Sequence, residues 1–136
     1  MVAACGRDVP RPDAFVFCTD QHPLAPTFTN VQALFGACTS CHTANANLLL
    51  GPGVSYGNLV GKMAPNYTDP PTDESCGGIL VQPGAPEASY LYLKVSLDAP
   101  CAGSRMPVTD IGIPSPLIPC EQALIHDWIA AGAPND

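Results

Sequence analysis

Apolar residues fall at helical spacing in several stretches of this chain, all of them after residue 26. Thr29 opens the first, with Gln32 three positions on as a capping box. Val31, Leu34, Phe35 and Cys38 then share one face at i, i+3, i+4 and i+7. A second stretch begins near Ser55. It sets Tyr56, Leu59, Val60 and Met63 on one face and stops at Pro65. The third opens at Pro86, with Glu87 in its first turn and Lys94 in its last, as the helix dipole favours. The fourth opens at Pro119 with Glu121 in its first turn. Its apolar face is Leu124, Ile125, Trp128 and Ile129, and Gly132 and Pro134 stop it. Ile79, Leu80 and Val81 form a short extended segment before a Pro83-Gly84 turn. Residues 1–26 lack this periodicity and hold Pro10, Pro12, Pro23 and Pro26. The pattern predicts an irregular arm over 1–26 and an all-α domain over 27–136.

Composition sharpens that picture. With 136 residues, 46% of them hydrophobic, the chain suits one compact core. Sixteen prolines and twelve glycines predict short helices joined by long, turn-rich loops. No apolar run approaches membrane-spanning length; Leu48, Leu49 and Leu50 end at Gly51. A net charge of −7 with five basic residues offers no stripe to meet phosphates, so nucleic acid is not an expected partner. Seven cysteines in so short a chain point to an oxidising compartment. Val2, Ala3, Ala4 and Cys5 look like the small-residue box before a bacterial lipoprotein cysteine. A Cys5–Cys18 disulfide is the competing reading.

The chemistry concentrates at residues 38–42, where Cys38, Thr39, Ser40, Cys41 and His42 spell C-x-x-C-H, the attachment sequence of c-type haem. Two thiols on one helical turn can each add to a vinyl group of one porphyrin. The adjacent imidazole then faces the iron. A thioredoxin-like site would need a βαβ setting, and none surrounds Cys38. A zinc site would need a second ligand pair, but the other cysteines stand singly. Structural thiols beside a surface histidine are the last alternative. Met106 is the candidate second axial ligand. It sits in a Pro-rich loop without an evident packing role, and a soft thioether opposite imidazole favours reduced iron. Met63 reads as core, and His126 and His22 as solvent-facing or capping residues. Trp128 and Tyr56 read as core or as haem-lining aromatics. Arg105 suits either a haem propionate or an acid such as Asp110.

The order of these features resembles small monohaem cytochromes c, in which first and last helices cross. Residues 81–91 (VQPGAPEASYL), the Arg105-Met106-Pro107 triplet and residues 123–133 (ALIHDWIAAGA) are similar to segments of the planctomycete-type cytochrome c domains of exported bacterial proteins. The similarity runs over residues 29–133. It implies a small cytochrome c fold, one covalently attached haem c held by Cys38 and Cys41, and axial ligation by His42 and Met106. It further implies a periplasmic or extracellular electron carrier serving redox protein partners. Filled axial positions leave no substrate site, so no enzyme activity and no small-molecule substrate are expected. Two alternatives stand: a haem subunit tethered within a larger respiratory or oxidoreductase complex, and a haem enzyme or gas sensor with an open sixth position. A membrane enters only through lipid on Cys5. Cys18, Cys76, Cys101 and Cys120 allow three pairings; Cys76–Cys101 and Cys18–Cys120 are expected.

Overall fold

The computed structural model describes residues 18–19, 22–38, 42, 48–64, 78–100, 105–107 and 115–136. Among them lie four α-helices and no sheet: α1 (Phe28–Leu34), α2 (Ser55–Leu59), α3 (Tyr90–Ser96) and α4 (Pro119–Ala130). Single 3₁₀ turns at Phe35–Ala37 and Pro86–Ala88 precede the loop after α1 and the start of α3. The fold class is all-α, as the periodicity predicts.

Helix α4 is the centre of the core. Its Leu124, Ile125, Trp128 and Ile129 are buried, as their spacing requires, and α1 and α3 both pack on it. The Trp128 ring stands 5.4 Å from Phe28, and Phe28 meets Tyr56 edge-on at 5.1 Å. Each such pair contributes about 0.5–1.5 kcal/mol beyond its buried area. The polar ends of these rings are satisfied: Trp128 Nε1 donates to Pro134 O at 2.9 Å, and the Tyr56 hydroxyl donates to Ala133 O at 2.7 Å. Trp128 and Tyr56 therefore serve as core residues that lock α1, α2 and the end of α4 together. Glu121 closes the start of α4 by accepting the Ile118 N–H at 3.1 Å.

Helix ends differ from the sequence expectation in three places. The cap of α1 is Thr27, whose hydroxyl accepts the Asn30 N–H at 3.3 Å, not Thr29. The Thr29 hydroxyl donates instead to Asp136 O at 2.9 Å, which joins α1 to the chain after α4. Gln32 is drawn away from the helix end, since its amide donates to Leu50 O at 3.0 Å and its oxygen accepts from the Ser55 hydroxyl. Helix α2 stops well before Pro65. Gly61 takes a φ of +69°, and the chain beyond it runs extended, with Val60 opposite Val81 and Met63 opposite Ile79. The period of the chain changes there from 3.6 to 2, so Met63 leaves the apolar face and is 57% exposed, not core. The expected helix from Pro86 is broken at Ser89, whose extended backbone separates the 3₁₀ turn from α3. Ser89 is fully buried; its hydroxyl accepts the Gln82 N–H at 2.8 Å and donates to Ala85 O at 2.9 Å.

Cys18 is bonded to Cys120 with a Cα separation of 6.1 Å, which ties the arm to the start of α4. The expected Cys76–Cys101 pair and Cys5 lie outside the described residues.

Candidate functional site

The 3₁₀ turn after α1 delivers the chain directly into the C-x-x-C-H segment. Cys38 N–H donates to Phe35 O at 2.8 Å, and His42 N–H donates to Cys38 O at 3.0 Å. That second bond closes one α-helical turn, so Cys38 and His42 start and end the same turn. Leu50 N–H then donates to His42 O at 3.1 Å, which pins the returning chain. Cys38 is half-buried and packs on the main core. Cys41 lies outside the described residues.

His42 is half-buried, and its Nδ1 is fully buried with no hydrogen-bond partner. Among the described residues it is the one buried side-chain nitrogen or oxygen in this state. Such an atom costs about 1–3 kcal/mol in a protein that uses it for nothing. A thiol at one end of this turn would suit thioether attachment of a porphyrin, and the half-buried imidazole at its other end and the Met106 thioether are ligand types that suit a haem iron. Among the described residues no group of three or more His, Cys, Asp or Glu side chains is gathered as a bare-ion site would need.

Met106 is half-buried and packs on the same core cluster as Cys38. Its N–H donates to Lys94 O at 2.8 Å, and the buried Pro107 accepts the Ser115 N–H at 2.8 Å. Arg105 Nε donates to Val95 O at 3.2 Å and Nη1 to Asp98 Oδ1 at 2.5 Å. The acidic partner of Arg105 is thus Asp98; Asp110 lies outside the described residues. The contributions of Lys94 O, Val95 O and Leu50 N–H were not legible beforehand, because backbone groups have no residue signature.

His126 is not simply solvent-facing. Its Nδ1 lies 2.9 Å from Asp127 Oδ1 and its Nε2 3.0 Å from Glu87 Oε1, with the Tyr92 ring edge-on at 5.1 Å. Asp127 first, then Glu87, raise its pKa above the ordinary 6.5, and the bond to His126 lowers that of Glu87. His126 therefore clasps α4 to the turn before α3. His22 is exposed, and its N–H donates to the Thr19 hydroxyl at 3.1 Å. Burial lowers the pKa of Lys94, whose ammonium stands 5.8 Å over the Tyr90 ring.

No described helix is long and apolar enough to cross a membrane. No family model, no curated protein and no solved structure matches the chain.

Proposed function

We propose that this chain is a monohaem c-type cytochrome of the small cytochrome c fold, carrying single electrons between exported redox proteins. One observation carries the reading: the C-x-x-C-H turn, closed by the His42 N–H to Cys38 O bond, which sets the thiol of Cys38 and the half-buried imidazole of His42 at the two ends of one helical turn. Haem bound at this turn supplies one-electron chemistry, and imidazole with thioether ligation favours its reduced form. Cys38 and Cys41 would hold the group covalently, and His42 and Met106 would ligate its iron. The Phe28, Tyr56 and Trp128 rings pack together at the start of α1, the helix that leads into the attachment turn. Were His42 and Met106 both to ligate the iron, no position on it would be left for a substrate. Only five residues are basic, so docking would rest on a basic partner or an apolar patch.

Acid–acetone extraction tests the assignment. Denatured wild-type protein should retain its haem, and the Cys38→Ala, Cys41→Ala double variant should not. Extractable haem, or none, in wild type refutes the reading. The tethered-subunit alternative gains one support. The Cys18–Cys120 bond argues against the competing Cys5–Cys18 pairing, so lipid on Cys5 remains the route by which the chain would be tethered. Intact mass of protein purified from a cell-envelope fraction would show that lipid.

A further inference from the structure

We propose that Arg105 is a positioning residue that hangs the Met106 loop on the C-terminal end of α3. The functional weight of this anchor rests on Met106 as an iron ligand; the anchor itself does not. The last carbonyls of any α-helix lack intrahelical donors. In α3 two consecutive carbonyls of this kind are taken by two consecutive loop residues: Lys94 O by the Met106 N–H at 2.8 Å and Val95 O by Arg105 Nε at 3.2 Å. A third tie runs from Arg105 Nη1 to Asp98 Oδ1 at 2.5 Å, just past the helix.

The burial of the two partners assigns their roles. The Arg105 side chain is only 12% exposed, whereas that of Asp98 is 97% exposed. An ion pair to so exposed a carboxylate contributes little. A charge as covered as Arg105 needs fixed partners, and the Val95 carbonyl supplies one inside the fold. The guanidinium fork serves both oxygens from one plane, which a single ammonium cannot do. Helix α3 is itself held against α4, with Tyr92 on the His126 ring, so the loop is fastened to a fixed support. Without Arg105, Met106 keeps its own backbone bond and gains freedom to pivot about it.

The test uses the haem-loaded protein with Arg105→Lys, Arg105→Gln and Asp98→Asn. Expected in both Arg105 variants are retained covalent haem, loss of most of the weak far-red sulfur-to-iron band, and carbon monoxide uptake by the untreated reduced protein raised at least about tenfold, the weight of one lost hydrogen bond. The Met106 amide should also exchange hydrogen faster, a readout independent of iron. A lysine variant that keeps the band and the slow exchange would show that charge alone suffices and would overturn the anchor. If the Arg105 variants do not fold, the exposed Asp98 position still decides: Asp98→Asn should change carbon monoxide uptake by less than about twofold, and a rise of about tenfold with faster Met106 exchange would put the anchor on the exposed ion pair instead of the Val95 carbonyl and overturn the proposal. Wild-type protein without covalent haem would instead refute the electron-carrier reading, leaving the exchange experiment to judge the anchor.

Discussion

Removing the Cys18–Cys120 bond should lower stability without touching the attachment site. The bond closes a sequence separation of 102 residues. For a loop of that size the loss of unfolded-chain entropy alone predicts about 4.7 kcal/mol, and measured bonds usually give about 2–4 kcal/mol. A nested Cys76–Cys101 bond would shorten the effective loop by about a quarter. The cost grows only with the logarithm of length, so the figure would fall by only about 0.3 kcal/mol. The suitable perturbation is Cys18→Ala with Cys120→Ala. Cys18 is buried, and a serine there would add an uncompensated hydroxyl. For a chain of this size each kcal/mol moves Tm by roughly 3–5 °C, so a drop near 10 °C is expected in a thermal melt followed by circular dichroism. The C-x-x-C-H turn lies beyond α1 from the bond, so haem retention on extraction should be unchanged. A double variant that melts within about 2 °C of wild type would refute the entropy argument. Peptide mapping that joins Cys18 to another cysteine would refute the pairing.

Met106→Ala should abolish the far-red band, open the iron to carbon monoxide and lower the potential; Met63→Ala, at an exposed position, should change none of the three, and the reverse result overturns the ligand assignment. The His126 clasp should give a pH-dependent share of stability. The folded pKa of His126 is raised above 6.5, so its contribution is complete below that value and lost as pH climbs through the raised one. Glu87 is lowered from 4.5, so its contribution is complete above 4.5 and lost as pH falls through the lowered value. The Tm difference between wild type and His126→Gln should therefore peak between the two ordinary values, and a difference flat from pH 4 to 9 would contradict the clasp. Ser89→Ala should cost about 1–3 kcal/mol in denaturant unfolding, because it strips a buried partner from the Gln82 N–H; a loss under about 0.5 kcal/mol would mean that the turn relaxes.

Where local pattern and tertiary packing agree, the chain was readable. Helix α4 shows this best: Pro119, Glu121, the four apolar positions and Gly132 all act as their types suggest. Where a residue finds a better partner far along the chain, local reading fails. Gln32 had the spacing of a capping residue, but Leu50 O and the Ser55 hydroxyl, 18 and 23 positions away, claim its side chain. The second stretch fails for another reason: Gly61, inside the helical spacing, takes a φ of +69° and turns the chain out of the helix before Met63. The bonds that draw the chain into extended pairing, Gly61 N–H to Val81 O at 2.9 Å and Leu80 N–H to Lys62 O at 2.7 Å, are backbone bonds with no side-chain signature.

The site was legible to unequal depth for the same reason. The proposed covalent attachment is written in residue types at fixed spacing, so the sequence alone points to Cys38, Cys41 and His42. The support of the Met106 loop is written in backbone groups. The end of α3 is usable as an anchor because a helix that stops at Ser96 leaves carbonyls without donors. No residue identity announces that two of those carbonyls will meet residues 105 and 106. This difference orders the mutational consequences. Substitutions at residues 38–42 should decide whether the group is attached at all. Substitutions around α3 should leave it attached and change how firmly its far side is held. Detached and attached-but-open protein are separable in one sample, by extraction and by carbon monoxide uptake. The two outcomes therefore distinguish failure of the attachment turn from failure of the loop that faces it.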